Sequence, residues 1–114
     1  MRPPALDSYG GINDMSVLIT VKIQGDTAKF RQSLVDRADE YEKIAAMARP
    51  AGAIHHRFGV GDGFVLIVDE WASMADFQQF FANPDLQTFI GSVGGDPGVP
   101  EITVTEALSS PDEF

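Results

Sequence analysis

Residues 51–89 read AGAIHHRFGVGDGFVLIVDEWASMADFQQFFANPDLQTF, and this stretch decides the fold. Ala53–Phe58 has the composition of a strand. Gly59-Val60-Gly61-Asp62-Gly63 then forms a glycine-rich hairpin connection, because glycine supplies the positive φ values that tight β-turns need. Phe64–Trp71 is the next strand, and its run FVLIV implies burial on both faces. Ser73 followed by Asp76 has the spacing of a capping box, which predicts a helix from there to about Ala82. Asn83-Pro84 caps and restarts a second short helix to about Ser92. Phe77, Phe80, Phe81, Leu86, Phe89 and Ile90 give these two segments an aromatic inner face.

Outward from this centre the pattern stays regular. Upstream, Ser16–Gln24 alternates, with Val17, Ile19, Val21 and Ile23 on one face and Leu18, Thr20 and Lys22 on the other. Gly25 breaks that strand, and Asp26 or Thr27 caps a helix running to about Ala48. At about 100° per residue, Phe30, Leu34, Ala38, Tyr41, Ile44, Ala45 and Ala48 form one stripe, and Pro50 and Gly52 end the helix. Downstream, the loop GGDPGVP leads into a last alternating strand, Glu101–Leu108. The order β-α-β-β-α-β predicts an α+β, ferredoxin-like fold: an antiparallel four-stranded sheet with helices on one face. A strand apolar on both faces in such a sheet needs a second cover, most simply the sheet of a second copy.

The chain of 114 residues fits one domain. Residues 1–14 read as a flexible lead, 15–108 as the folded domain and 109–114 as a C-terminal tail. Hydrophobic residues make up 44% and charged residues 22%, which excludes a wholly disordered chain. No apolar run approaches the ~18 residues of a membrane span. The lead lacks the apolar centre of a secretory signal, which points to a cytoplasmic protein. The absence of cysteine removes disulfides and thiolate chemistry. A net charge of −9 with scattered arginines and lysines disfavours a nucleic-acid partner.

His55 and His56 are the two histidines. Neighbours on a strand point to opposite faces, so one at most enters a given pocket, and the pair cannot converge on zinc. Histidine is the commonest general base near neutral pH. His56 is the catalytic candidate, against the plainer role of a surface histidine with a satisfied hydrogen bond. Asp69 and Trp71 share a face. Asp69 can orient a histidine or a phenol, and Trp71 can stack on an aromatic ligand, or the two can simply bridge and plug the end of the fold. Tyr41, on the inner stripe, is core or pocket. The phenylalanines are core by default, though some must wall any cavity present. GVGDG superficially looks like a phosphate loop, but it joins two antiparallel strands and has no helix N-terminus behind it.

The same stretch resembles the dimeric α/β-barrel proteins of the antibiotic-biosynthesis-monooxygenase type. The resemblance rests on Gly52 before the second strand, Asp69 two residues before Trp71 at the end of the third, Ser73 and Phe77 opening the helix, and the Asn83-Pro84 break. It spans roughly Met15–Leu108. It implies a homodimer with two sheets face to face and a pocket between each sheet and its own helices. It also implies that the face carrying Val65, Ile67, Asp69 and Trp71 looks toward the helices. If Gly59 pairs with Phe64, His56 lies opposite Ile67 on that face; a slip of one residue puts His55 there instead. Many relatives carry a histidine where Phe80 stands, and haem-degrading ones need it, so the resemblance implies no haem here.

Two functions follow as expectations. One is a cofactor-independent monooxygenase or cyclase acting on a small aromatic or polyketide-like molecule, with His56 and Asp69 catalytic and Trp71, Tyr41, Phe77, Phe80 and Phe81 binding the substrate. The other is a non-catalytic dimeric ligand-binding or structural protein of the same fold, its pocket filled by phenylalanines. Neither involves haem, zinc, another metal or a nucleotide.

Overall fold

The computed structural model describes residues 16–114; the lead expected at 1–14 lies outside the described residues. The elements run β1 (Val17–Gln24), α1 (Thr27–Asp36), α2 (Ala38–Ala51), β2 (Ala53–Val60), β3 (Phe64–Trp71), α3 (Met74–Phe81), α4 (Pro84–Ser92) and β4 (Glu101–Glu106). One antiparallel sheet has the order β2-β3-β1-β4. The helices cover one face of this ferredoxin-like sheet.

Sequence alternation is realised directly in β1. Ile19, Val21 and Ile23 are buried under the helices, while Leu18 on the other face is exposed. Ile19, Val21, Ile23, Trp71 and Phe77 form one core cluster, and Phe30, Val65 and Val93 form a second. Full burial of a side chain such as Ile19 or Val21 contributes about 1.5–3 kcal/mol. The uncovered face carries Leu18 (46% exposed) on β1, opposite Glu70, and Leu66 and Val68 (45%) on β3, opposite Lys22 and Thr20.

The first helical region departs from the single helix expected to about Ala48. It is two helices broken at Arg37, whose backbone leaves the helical region (φ −125°, ψ 32°). Asp26 caps α1 by accepting from the Lys29 N–H at 3.0 Å. Pro50 does not end α2 but lies in its last turn, where the bond it forgoes is one of the last in the helix. Gly52 ends it, at φ 126°, where a Cβ would also press on Asp76. Ser73 caps α3 by accepting from the Asp76 N–H, and Asn83 caps α4, both where the sequence signals them.

The hairpin also differs in length. β2 runs through Gly59 to Val60, leaving Gly61–Gly63 as the turn, with Gly63 at φ 79°. Gly59 pairs with Leu66 and His56 with Asp69, two residues away from the register that put His56 opposite Ile67. A shift of two preserves the face, so His56 still shares a side with Trp71. At its other end β2 carries a bulge. Ala53 pairs with Trp71, which in a regular ladder would bring His55 to Asp69; the extra residue Ile54 moves His56 there.

β4 stops at Glu106, short of the expected Leu108, which is 83% exposed. Gly25 sits so close to the Gly94 carbonyl oxygen that no side chain fits. The Asp26 N–H donates to that carbonyl at 2.9 Å and closes the end of the layer between α1 and α4.

Candidate active site

A cavity of ≈ 580 Å³ lies between the sheet and the helices. Its walls come from both helical regions, including Tyr41, Ile44 and Ala48 on one side and Phe80, Phe81 and Phe89 on the other, with Ile67, Asp69 and Trp71 below. Most of the stripe expected on one long helix, Leu34, Tyr41, Ile44, Ala45 and Ala48, lines this cavity, while Phe30 is buried in the core. None of the residues of α2 is fully buried, because its apolar side looks into the cavity. The phenylalanines wall this space without filling it.

One polar group stands out on the floor. Asp69 is 8% exposed among apolar neighbours, and both its oxygens are occupied. Oδ1 meets His56 Nδ1 at 2.7 Å, and Oδ2 accepts from Trp71 Nε1 at 2.9 Å. Paired donors offset the free energy of burying a carboxylate. A carboxylate only accepts, so neutral His56 carries its proton on Nδ1 and leaves the Nε2 lone pair free. The His56 ring also stands edge-on to Phe58, with centroids 4.6 Å apart. His55 pairs with Glu70 and makes none of the hydrogen bonds to Asp69.

Trp71 is 2% exposed, with Phe77 at 5.8 Å and Phe80 at 5.4 Å between ring centroids. Phe81 stacks on Phe77 at 5.2 Å. Phe77 is itself buried, whereas Phe80 and Phe81 are half-buried at the cavity wall. Tyr41 meets Phe30, Phe58 and Phe89 edge-on, forming an aromatic box at the other side of Phe58. Its hydroxyl lies 2.7 Å from Ser33 Oγ, which donates in turn to the Phe30 carbonyl at 2.6 Å. Burial pushes the Tyr41 phenol above its ordinary pKa, with the Ser33 hydrogen bond acting the other way.

Sequence reasoning missed three contributors. Phe58 links the His56 and Tyr41 ends, although its aromatic identity on a strand gave a signal. Ser33 carried none, since a regular helix would not bring it to Tyr41 eight residues on. Arg37 sits at the helix break, donates to both oxygens of Glu40 and to Ser92 Oγ at 2.6 Å, and lies over the Phe89 ring. It ties the α1–α2 junction to α4, and its guanidinium lowers the pKa of the Glu40 carboxyl. Among the described residues no group of three or more His, Cys, Asp or Glu is placed to hold a metal ion, and no helix is long and apolar enough to cross a membrane.

No protein-family profile matches the chain, and no curated protein matches it significantly. Solved structures do. SnoaB, a cofactor-independent oxygenase from Streptomyces nogalater, is 15% identical, with 89% of this chain and 100% of that one covered and a TM-score of 0.57. A candidate antibiotic biosynthesis monooxygenase from Caulobacter crescentus CB15 is 14% identical, over 84% and 92% of the two chains, at a TM-score of 0.57. A dimeric ferredoxin-like protein from an uncultured marine organism is 13% identical, over 89% and 95%, at 0.57. Identities this low carry the architecture and not the chemistry. In its sheet order and its one-sided helices the chain has a ferredoxin-like fold, and it shares that fold with these structures.

Proposed function

We propose that the protein is a base-initiated enzyme acting on a small hydroxylated aromatic or polyketide-like molecule, in the first place a cofactor-independent monooxygenase. The observation that carries this reading is the Asp69–His56 pair, 2.7 Å apart, at the wall of an apolar cavity of ≈ 580 Å³. That volume is within the ~300–1,000 Å³ usual for small-molecule sites. SnoaB's description as a cofactor-independent oxygenase lends the reading its reaction class.

The chemistry runs from the ring nitrogen outward. His56 Nε2 takes the phenolic proton, and Asp69 stabilises the imidazolium formed. The phenolate delivers its electron density to a ring carbon, which forms a C–O bond to dioxygen. The peroxide takes a proton and becomes a hydroperoxide. Cleavage of its O–O bond, with loss of the hydrogen on that carbon, releases water and leaves a carbonyl. One oxygen atom ends in product and the other in water. The aromatic walls offer faces and edges against which the substrate ring can pack beside the base. On a polyketide chain the same base could instead take a proton from a carbon between two carbonyls; that carbon then bonds to a carbonyl carbon of the same chain, and the alcohol formed leaves as water without consuming oxygen.

The reading includes a homodimer through the uncovered sheet face. Leu18, Leu66 and Val68 place apolar side chains on that face, and the dimeric ferredoxin-like neighbour supports the assembly.

A panel of hydroxylated naphthalenes and anthracenes, incubated in air and under argon, tests the function. The expected result is oxygen uptake with a product that gains one oxygen and loses two hydrogens. His56→Ala lowers turnover by about 10²–10⁴-fold. Turnover unchanged in that variant removes the base from the mechanism.

A further inference from the structure

We infer that Trp71 is a positioning residue for the base and not a stacking surface for the ligand: its indole N–H holds Asp69 in the orientation that fixes the proton of His56 on Nδ1. This rests on the proposed role of His56 for its catalytic meaning, though not for its geometry.

The argument begins with what Trp71 has left to offer. The residue is 2% exposed, and Phe77 and Phe80 stand against its ring. A ring so enclosed presents little area on which a ligand could stack. Its one polar atom is spent on Asp69 Oδ2 at 2.9 Å. Trp71 and Asp69 lie two apart on β3 and so share a face, which makes the bond a local product of strand geometry. Asp69 reaches His56 across the strands with its other oxygen.

The two bonds constrain one another. A carboxylate with a single partner can rotate about its terminal torsion. With Oδ2 pinned by the indole, Oδ1 is left pointing at His56, and Nδ1 must be the donor. Free imidazole has no such constraint, and either nitrogen can carry the proton. The rigid anchor matters because the His56 side chain is 47% exposed, with Phe58 edge-on to its ring and Asp69 at its Nδ1.

The chain contains one tryptophan and two histidines, so nitrogen-15 spectra resolve the parts separately. In the wild-type protein His56 is expected as the Nδ1–H tautomer. Trp71→Phe keeps an aromatic ring on the core and removes the donor. The expected result is loss of the Nδ1–H signature at His56, with His55 unchanged as internal reference. Turnover should fall roughly 10–100-fold with KM nearly constant. A tautomer unaltered in Trp71→Phe overturns the inference. If Trp71→Phe does not fold, the wild-type indole N–H resonance serves: Asp69→Asn should shift it and speed its exchange with solvent, and an unmoved resonance overturns the inference equally. Loss of the tautomer in a protein without turnover would sustain the positioning role while removing the enzymatic reading.

Discussion

The two faces of the sheet are built from the same strands and have different fates. On β3, Val65, Ile67, Asp69 and Trp71 look toward the helices, while Phe64, Leu66, Val68 and Glu70 look away. On β2, His56 meets a carboxylate that is 8% exposed, and one residue earlier His55 pairs with Glu70 outside. Glu70 accepts instead from Ser16 Oγ. The covered face has a buried carboxylate whose two oxygens are both partnered, with His56 reaching it from a half-exposed position. The uncovered face has polar groups open to solvent beside apolar side chains. Residue type therefore says little about role: of two adjacent histidines, one meets a buried carboxylate and the other does not, and burial of that carboxylate is a property of the face.

The sharpest way to break this contrast is to exchange the histidines' fates. His56→Ala should remove 10²–10⁴-fold of turnover, whereas His55→Ala should change it by no more than about twofold. Equal losses in a steady-state assay would mean that the faces are not functionally distinct.

The next effect lies in β1, where Ile19 and Leu18 are neighbours on opposite faces, 1% and 46% exposed. Ile19→Ala should destabilise the fold by about 2–5 kcal/mol in urea titration. Leu18→Ala should cost within about 1 kcal/mol in dilute protein. Any larger effect at Leu18 should grow with protein concentration, because it would arise from the second copy. Val68→Asp sharpens the same point. A symmetric interface places the new charge against itself, so sedimentation at micromolar concentration should show a monomer. A dimer that survives this change must use another surface.

The smallest effect concerns Tyr41, on the cavity side. Burial raises its phenol, so the folded state holds that proton more tightly than the unfolded chain does. Its contribution is complete below the ordinary value near 10 and is lost as pH rises through the raised one. Wild-type stability should therefore fall above about pH 10, and Tyr41→Phe should flatten that decline in thermal melts. An identical decline in both proteins would place the cause elsewhere.

What the sequence determined by itself was the order and type of the elements. β1 and β3 are readable because side chains alternate strictly along a strand, and burial of one face selects β-branched residues at every second position. Ser73, Asn83-Pro84 and Gly52 mark their helix ends because caps satisfy backbone groups within a few residues. Asp69 and Trp71 could be placed on one face for the same local reason. The break at Arg37 was not readable, since the guanidinium that stabilises it reaches Ser92 on a distant helix. Nor was the choice between His55 and His56. That depends on a turn of three residues and a bulge at Ile54, both fixed by how β2 docks on β3. Periodicity states which residues share a face, but one inserted residue reverses the face for all that follow. Only the packed sheet, with Asp69 already anchored beneath the helices, decides which imidazole meets it.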